Sequence, residues 1–447
     1  MPDQNDRAFF GHPKGLAFLA FTEAWERFSY YGMTSLVVLY MVQQLFLPGH
    51  VEHVTGLPAL RGVLGLGPGV SDQALASIIF GWYSGLVYFT PIIGGFVADR
   101  WLGTRNTVIL GAALLCAGHI AMAFDATFLL ALLLLILGSG ALKGNISAQV
   151  GRLYPAAEES RRTQGYTIFS AGINVGAVAG PIVCGLLAAT YGWHIGFGTA
   201  GGFMIVAMLT YLAGVRYLPA DGGPAERVVH PPMTPVETRR TWLLIAVIAL
   251  TVLPNIAYPM IWNVGILWAD EHASLATPLG AIPASWFNSI DAFVSIIAVP
   301  PLVALWRWQA KRGREPGDVA KIGIGSALAG ASAALFALAS ALYLPGKVPA
   351  LVAVLPFAGM GVAFLYFWPT LLALVSQAAP PKVNATLMGG AFLSLFAGSV
   401  AMGWVGSFYE PMGPVAFWLL DAAIGIAGAL IILVVRRPLA RALEPRE

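Results

Sequence analysis

Apolar runs of about twenty residues, separated by short polar stretches, recur from one end of the chain to the other. A bilayer core takes about 20 apolar residues per helix. Lipid offers the backbone no hydrogen-bond partner, so each crossing must be helical. Twelve segments fit, at roughly 15–45, 74–98, 106–124, 128–151, 165–190, 194–217, 241–268, 284–306, 319–343, 349–378, 385–408 and 414–435. The pattern predicts an all-α polytopic membrane protein with about 12 transmembrane helices.

Composition agrees. Hydrophobic residues make up 57% of the chain and charged residues 11%, against about 25% charged in a soluble domain. A net charge of +3 is too small to suggest a nucleic-acid partner. The basic residues sort by side. They gather in the N-terminal stretch, the even-numbered loops and the C-terminal stretch, and the opposite side holds only Arg61 and Lys347. The positive-inside rule then puts both termini in the cytoplasm of a cell membrane, for which a bacterial inner membrane is expected. The N-terminal "MPDQNDRAFFGHPKG" has no signal-peptide pattern. The stretch "PADGGPAERVVHPPMTPVETRR" between the sixth and seventh runs is rich in proline, glycine and charge, as linkers are. It divides the chain into an N-terminal six-helix bundle at 1–218, a cytoplasmic linker at 219–240 and a C-terminal six-helix bundle at 241–447. Two six-helix halves are the arrangement of major facilitator transporters, in which substrate binds near mid-membrane.

Few ionisable residues remain inside the runs: Glu23, Glu26, Arg27, Lys143, Asp291 and Asp421. Charge at that depth is costly and marks functional sites. On a helix, Glu23, Glu26, Arg27, Tyr30, Tyr31 and Thr34 form one continuous face. Glu23 and Arg27 stand four apart in the favourable acid-to-base order. Two carboxylates cannot both be balanced by one arginine, so one of them can hold a proton. The competing reading is a static network between helices. Lys143, in the glycine-rich "GSGALKGNISAQVG", is too deep to snorkel and needs an anion, either one of these carboxylates or a substrate. Asp291 is read either as a functional acid or as the cap of its helix. Asp421 is read as a packing polar residue. Asp99, Arg100 and Arg105, in "GGFVADRWLGTRN", suit a gating latch against neighbouring helix ends.

Other chemistry is not apparent. Cys116 and Cys184 lie in apolar runs with no metal spacing. The seven histidines form no buried metal pair, no nucleophile has a base at a suitable place, and no phosphate-binding loop occurs. Neither an enzyme nor an ATP-driven pump is expected.

The pattern ExxERFxYYG, met by Glu23, Glu26, Arg27, Phe28, Tyr30, Tyr31 and Gly32, resembles the first-helix motif of the proton-dependent oligopeptide transporters of the major facilitator superfamily. "LVYFTPIIGGFVADRWLG", "GYTIFSAGINVGA", "IPASWFNS" and "ALWRWQAKRGREP" also look like that family's segments. The resemblance implies that Glu23, Glu26 and Arg27 couple protons. It implies that Arg27 and Lys143 meet a peptide's carboxylate, and that Tyr30, Tyr31, Tyr88 and Asn174 line the site. The implied protein is a proton symporter for di- and tripeptides or peptide-like substrates. It needs no cofactor beyond the coupling proton, works by alternating access and functions as a monomer.

The departures lie mostly in the second half. Thr34 stands where the family has arginine, and Gly144 where it has proline. Pro259 and Phe364 stand at the places of its two C-half glutamates, and Ala391 at that of a tryptophan. Asp291 stands where the family has asparagine, and we expect it to have taken over the cation-facing role. The alternative is a proton-coupled carrier of a different organic anion or a modified peptide on the same scaffold.

Overall fold

A computed structural model describes residues 7–155, 158–219, 232–278 and 280–443. Most of the sequence-read linker, residues 220–231, lies outside them. Twelve long helical runs follow the twelve apolar segments. They are Lys14–Tyr40, Asp72–Val97, Gly103–Ala121, Phe128–Arg152, Glu159–Tyr191, Trp193–Gly214, an interrupted run from Pro235 to His272, Asn288–Ala310, Asp318–Tyr343, Ala350–Ala378, Asn384–Gly406 and Tyr409–Leu443. Among the described residues, ten runs are long and apolar enough to cross a membrane. One of the ten, Asp72–Ala121, is the second and third helices joined through a π turn at Ala98–Leu102. The first helix falls outside that set because of the polar and charged residues it carries.

The seventh helix begins at Pro235, earlier than its apolar run suggested. Thr234 and Glu237 explain the start: the Glu237 N–H donates to Thr234 Oγ1 (3.2 Å), and the Thr234 N–H donates to Glu237 Oε2 (2.7 Å). This is a capping box with proline at the first helical position. Further along, the helix narrows to a 3₁₀ segment at Tyr258–Trp262. Pro259, which has no N–H to donate, lies at the start of that segment. A small hairpin of Ala276–Thr277 and Gly280–Ala281 precedes the eighth helix.

The chain forms two compact units: Met1–Asp72 with Leu86–Glu226, and Gln73–Gly85 with Arg227–Glu447. The N-terminal part of the second helix, Gln73–Gly85, thus groups with the later residues. In the first unit, the first helix packs against the fifth. A methyl group added at Gly176 would stand 2.6 Å from the Phe28 amide nitrogen and 2.8 Å from Arg27 Cβ. The absence of a side chain there allows the two backbones to meet. In the second unit, the ninth and twelfth helices meet in the same way at Gly330 and Gly425, and Phe336 stacks on Trp418 with ring centroids 4.0 Å apart. Cys116 and Cys184 are buried free thiols.

Candidate substrate and proton site

The polar stripe of the first helix faces inward. Glu23, Glu26, Arg27, Tyr30 and Thr34 are all buried, and Tyr31 is half-buried. Arg27 Nε lies 3.2 Å from Glu23 Oε1 and also donates to Glu26 Oε2. Glu23 Oε2, Glu26 Oε1 and Arg27 Nη2 are buried without a hydrogen-bond partner among the described residues. One nitrogen therefore serves two acids, while two acceptors and one donor stay unsatisfied. Buried polar atoms are rarely left so outside functional sites. The arrangement sets two acids in competition for one nitrogen and leaves a guanidinium donor that an anion can meet.

Lys143 comes from the fourth helix. Thr90 of the second helix donates to Ile136 O (3.0 Å), and the Asn145 side chain donates to Gly94 O (3.3 Å). These bonds hold the inner part of the second helix against the fourth and set Tyr88 beside Lys143. The ammonium nitrogen lies 4.5 Å from the Tyr30 ring centroid and 5.3 Å from that of Tyr88. The Arg27 guanidinium lies 5.1 Å from the same Tyr30 ring, and Tyr31 meets Tyr30 edge-on. No carboxylate lies within ion-pair distance of Lys143 among the described residues. Of the two partners the sequence allowed for this lysine, the protein's own acids belong to Arg27. Asn174 sits half-buried on the fifth helix between Gly172 and Gly176, with no side-chain partner among the described residues.

In the second unit, Asp291 is buried in the first turn of the eighth helix. The Tyr258 hydroxyl donates to Oδ2 (2.8 Å), the Ala292 N–H donates to Oδ1 (2.7 Å), and the Trp262 side chain also bonds to the carboxylate. The helix carries no side-chain cap hydrogen bond, and Asp291 is buried with no cation in ion-pair range among the described residues. Phe364, at the place of a family glutamate, stacks on Tyr258 with centroids 5.1 Å apart. A methyl group at Gly361, one helical turn earlier, would stand 3.1 Å from Asp291 Cα, so the tenth helix approaches Asp291 closely. Asn288 is fully buried with neither amide atom bonded among the described residues. Asp421 is likewise buried with both oxygens unpartnered.

The three latch residues do not come together. Arg105 donates to Leu218 O (3.1 Å) and Pro219 O (3.4 Å), which ties the third helix to the end of the sixth. Arg100 is exposed over the Phe96 ring, and Asp99 is exposed in the π turn without an ion pair among the described residues. Among the described residues, no group of three His, Cys, Asp or Glu side chains could hold a metal ion.

The POT family model matches residues 105–229. "Uncharacterized transporter YclF" of Bacillus subtilis (strain 168) is 28% identical over 98% of this chain and 96% of its own length. A di-/tripeptide transporter of Lactococcus lactis subsp. lactis (strain IL1403) is 29% identical over 98% of each chain. A crystal structure of a mutant POT peptide transporter in complex with alafosfalin matches with a TM-score of 0.85 at 28% identity, covering 98% of this chain and 97% of that one. The family model, these relatives and this solved structure all support a POT family member.

The chain is an integral membrane protein, and members of the POT family are transporters rather than enzymes. The likeness to solved POT structures extends over nearly the whole chain, so the major-facilitator-type helical fold expected from the apolar pattern holds. What the sequence left hidden are the residues that hold others in place. Tyr258 precedes Pro259 in "YPM", and its hydroxyl donates to Asp291. Ser29 sits off the polar stripe, but its Oγ lies 2.7 Å from His119 Nε2 and donates to Ala200 O (2.7 Å). Only a buried serine inside the motif hinted at this bond.

Proposed function

We propose that this POT family member moves di- and tripeptides or peptide-like substrates together with protons, by alternating access. The observation that carries the reading is the division of labour in the first unit: Arg27 holds both acids, and Lys143 holds none. A proton on Glu23 or Glu26 removes one of the two charges that hold Arg27. The freed guanidinium then joins Lys143 in gripping a substrate carboxylate, so proton and substrate favour each other's binding. Tyr30, Tyr31 and Tyr88 border these charges and offer rings and hydroxyls to the peptide, and Asn174 offers an amide from the fifth helix. Within the second unit, Asp291, its carboxylate oriented by Tyr258, is the acid suited to an ammonium group. Arg105 steadies the ends of the third and sixth helices during the conformational change.

The proton serves as the coupling ion. The chain works as a monomer in a bacterial inner membrane, with both termini in the cytoplasm. Uptake of a labelled dipeptide into proteoliposomes under an imposed pH gradient tests the reading. Acid outside should drive accumulation above the external concentration. Uptake indifferent to the gradient, or running only against an outward substrate load, would overturn the symport reading.

A further inference from the structure

The eighth helix, Asn288–Ala310, is the least buried of the long apolar runs among the described residues. Phe293 and Ile297 are exposed along it, and Trp308 is 51% exposed near its end. Spacings of 4 and 11 residues put these three on one side of a helix. The helix stops at a Schellman turn: Gly313 has φ +62°, its N–H donates to Ala310 O (2.9 Å), and the Arg314 N–H donates to Gln309 O (2.9 Å). Four cations, Arg307, Lys311, Arg312 and Arg314, fall around this end, and all are exposed. Among the described residues, none of the four has an ion pair. The neighbouring acid, Glu315, is taken by Lys321 at 2.6 Å. The Arg312 guanidinium lies 3.9 Å from the Trp308 ring centroid.

We propose that this end of the eighth helix is a docking surface for anionic phospholipid headgroups. The exposed apolar stripe meets acyl chains, Trp308 sits at headgroup level as interfacial tryptophans do, and the cations meet lipid phosphate. Arginine forks suit phosphate oxygens, and basic clusters beside membrane helices recruit anionic lipid. Stacking on Trp308 holds the Arg312 fork without neutralising it. Lys321, nearby but paired, has no charge to spare for a headgroup.

The test uses the purified full chain in nanodiscs of phosphatidylcholine with or without phosphatidylglycerol. Melting is followed in each, and retained lipid is counted by native mass spectrometry. The intact protein should melt several degrees higher with phosphatidylglycerol. The variant Arg307→Gln/Lys311→Gln/Arg312→Gln/Arg314→Gln should lose that increment, retain roughly tenfold less phosphatidylglycerol, and melt like the intact protein in phosphatidylcholine alone. Arg312→Gln/Arg314→Gln, beyond the last helical residue, is the second arm and should lose part of the increment. Equal destabilisation of both variants in pure phosphatidylcholine would mean the cations serve the helix end itself and would overturn the proposal. So would an undiminished increment in the variants, or an acidic protein bound at this surface with no response to phosphatidylglycerol.

Discussion

Lys143 holds its ammonium nitrogen 4.5 Å from the centroid of the Tyr30 ring, one turn along the first helix from an arginine that engages two acids. A lysine over a ring is stabilised by about 0.5–2 kcal/mol, less than a buried ion pair is destabilised when one partner is removed. Of these two cations, Arg27 is committed to acids and Lys143 is not.

The two cations should respond differently to neutralisation. Lys143→Gln breaks no ion pair, so its thermal unfolding should stay within about 1 kcal/mol of the parent, while dipeptide affinity falls by roughly tenfold or more. Arg27→Gln leaves two buried acids without their cation and should cost about 3–5 kcal/mol. Paired melting curves and binding isotherms check this. Equal loss of stability in both variants would contradict the division of labour.

Glu23→Gln and Glu26→Gln each leave a neutral side chain of the same shape beside Arg27. Each should abolish gradient-driven accumulation while sparing some counterflow, because substrate exchange does not need the proton to leave. The assay is accumulation against counterflow in the same proteoliposomes. Unchanged accumulation in both would remove the acids from coupling.

Gly176 sets how closely the first and fifth helices meet, since an added methyl would stand 2.6 Å from the Phe28 amide nitrogen. Gly176→Leu should push the first helix and Arg27 away, at a cost of about 1–3 kcal/mol from overpacking. Melting temperature and substrate affinity should fall together. The exposed Gly144, with nothing within 4 Å of an added methyl, should accept alanine without either loss.

Asp291→Asn should abolish the preference for free dipeptides over amino-acetylated ones in competition assays. Tyr258→Phe keeps the stack on Phe364 but removes a donor to the carboxylate, and should cost about 1.5–3 kcal/mol of stability. A peptide preference untouched by Asp291→Asn would exclude the acid from substrate recognition.

His12 lies before the first helix, buried, with Nδ1 2.9 Å from the Tyr154 hydroxyl. Burial, and next the Arg161 guanidinium, hold its imidazole below the ordinary value of 6.5. The unfolded chain therefore takes the proton first, as acid is added. The contribution of His12 to stability is complete above about pH 6.5 and is lost as pH falls through the lower, folded value. Thermal unfolding at pH 7.5 and pH 5 should show the loss, and His12→Gln should shrink the difference. An identical pH dependence in the variant would rule the histidine out as its source.

The helices were legible because hydropathy acts locally: each run of about twenty apolar residues must find lipid or another helix whatever else the chain does. The polar stripe from Glu23 to Thr34 was legible for the same reason, since helical periodicity alone puts those residues on one face. Local chemistry also marked the start of the seventh helix at Thr234 and Glu237, although the apolar run drew the eye further along. The latch around Asp99 read as one unit because its residues are close in sequence. In the fold, Arg105 reaches the end of the sixth helix while Asp99 and Arg100 remain at the surface.

Which charge meets which was decided only in three dimensions. By itself the sequence determined that two acids, an arginine and a lysine lie inside apolar runs of the first half, and Asp291 and Asp421 inside those of the second. It left open whether Lys143 takes an acid from Arg27, because that depends on how far apart the first, second and fourth helices stand. Those spacings come from contacts distant in sequence, at Gly176 against Phe28 and Thr90 against Ile136. They place Lys143 against aromatic rings and leave both carboxylates to Arg27. Ion pairing inside a membrane changes within an ångström or two, and only tertiary packing sets distances that finely.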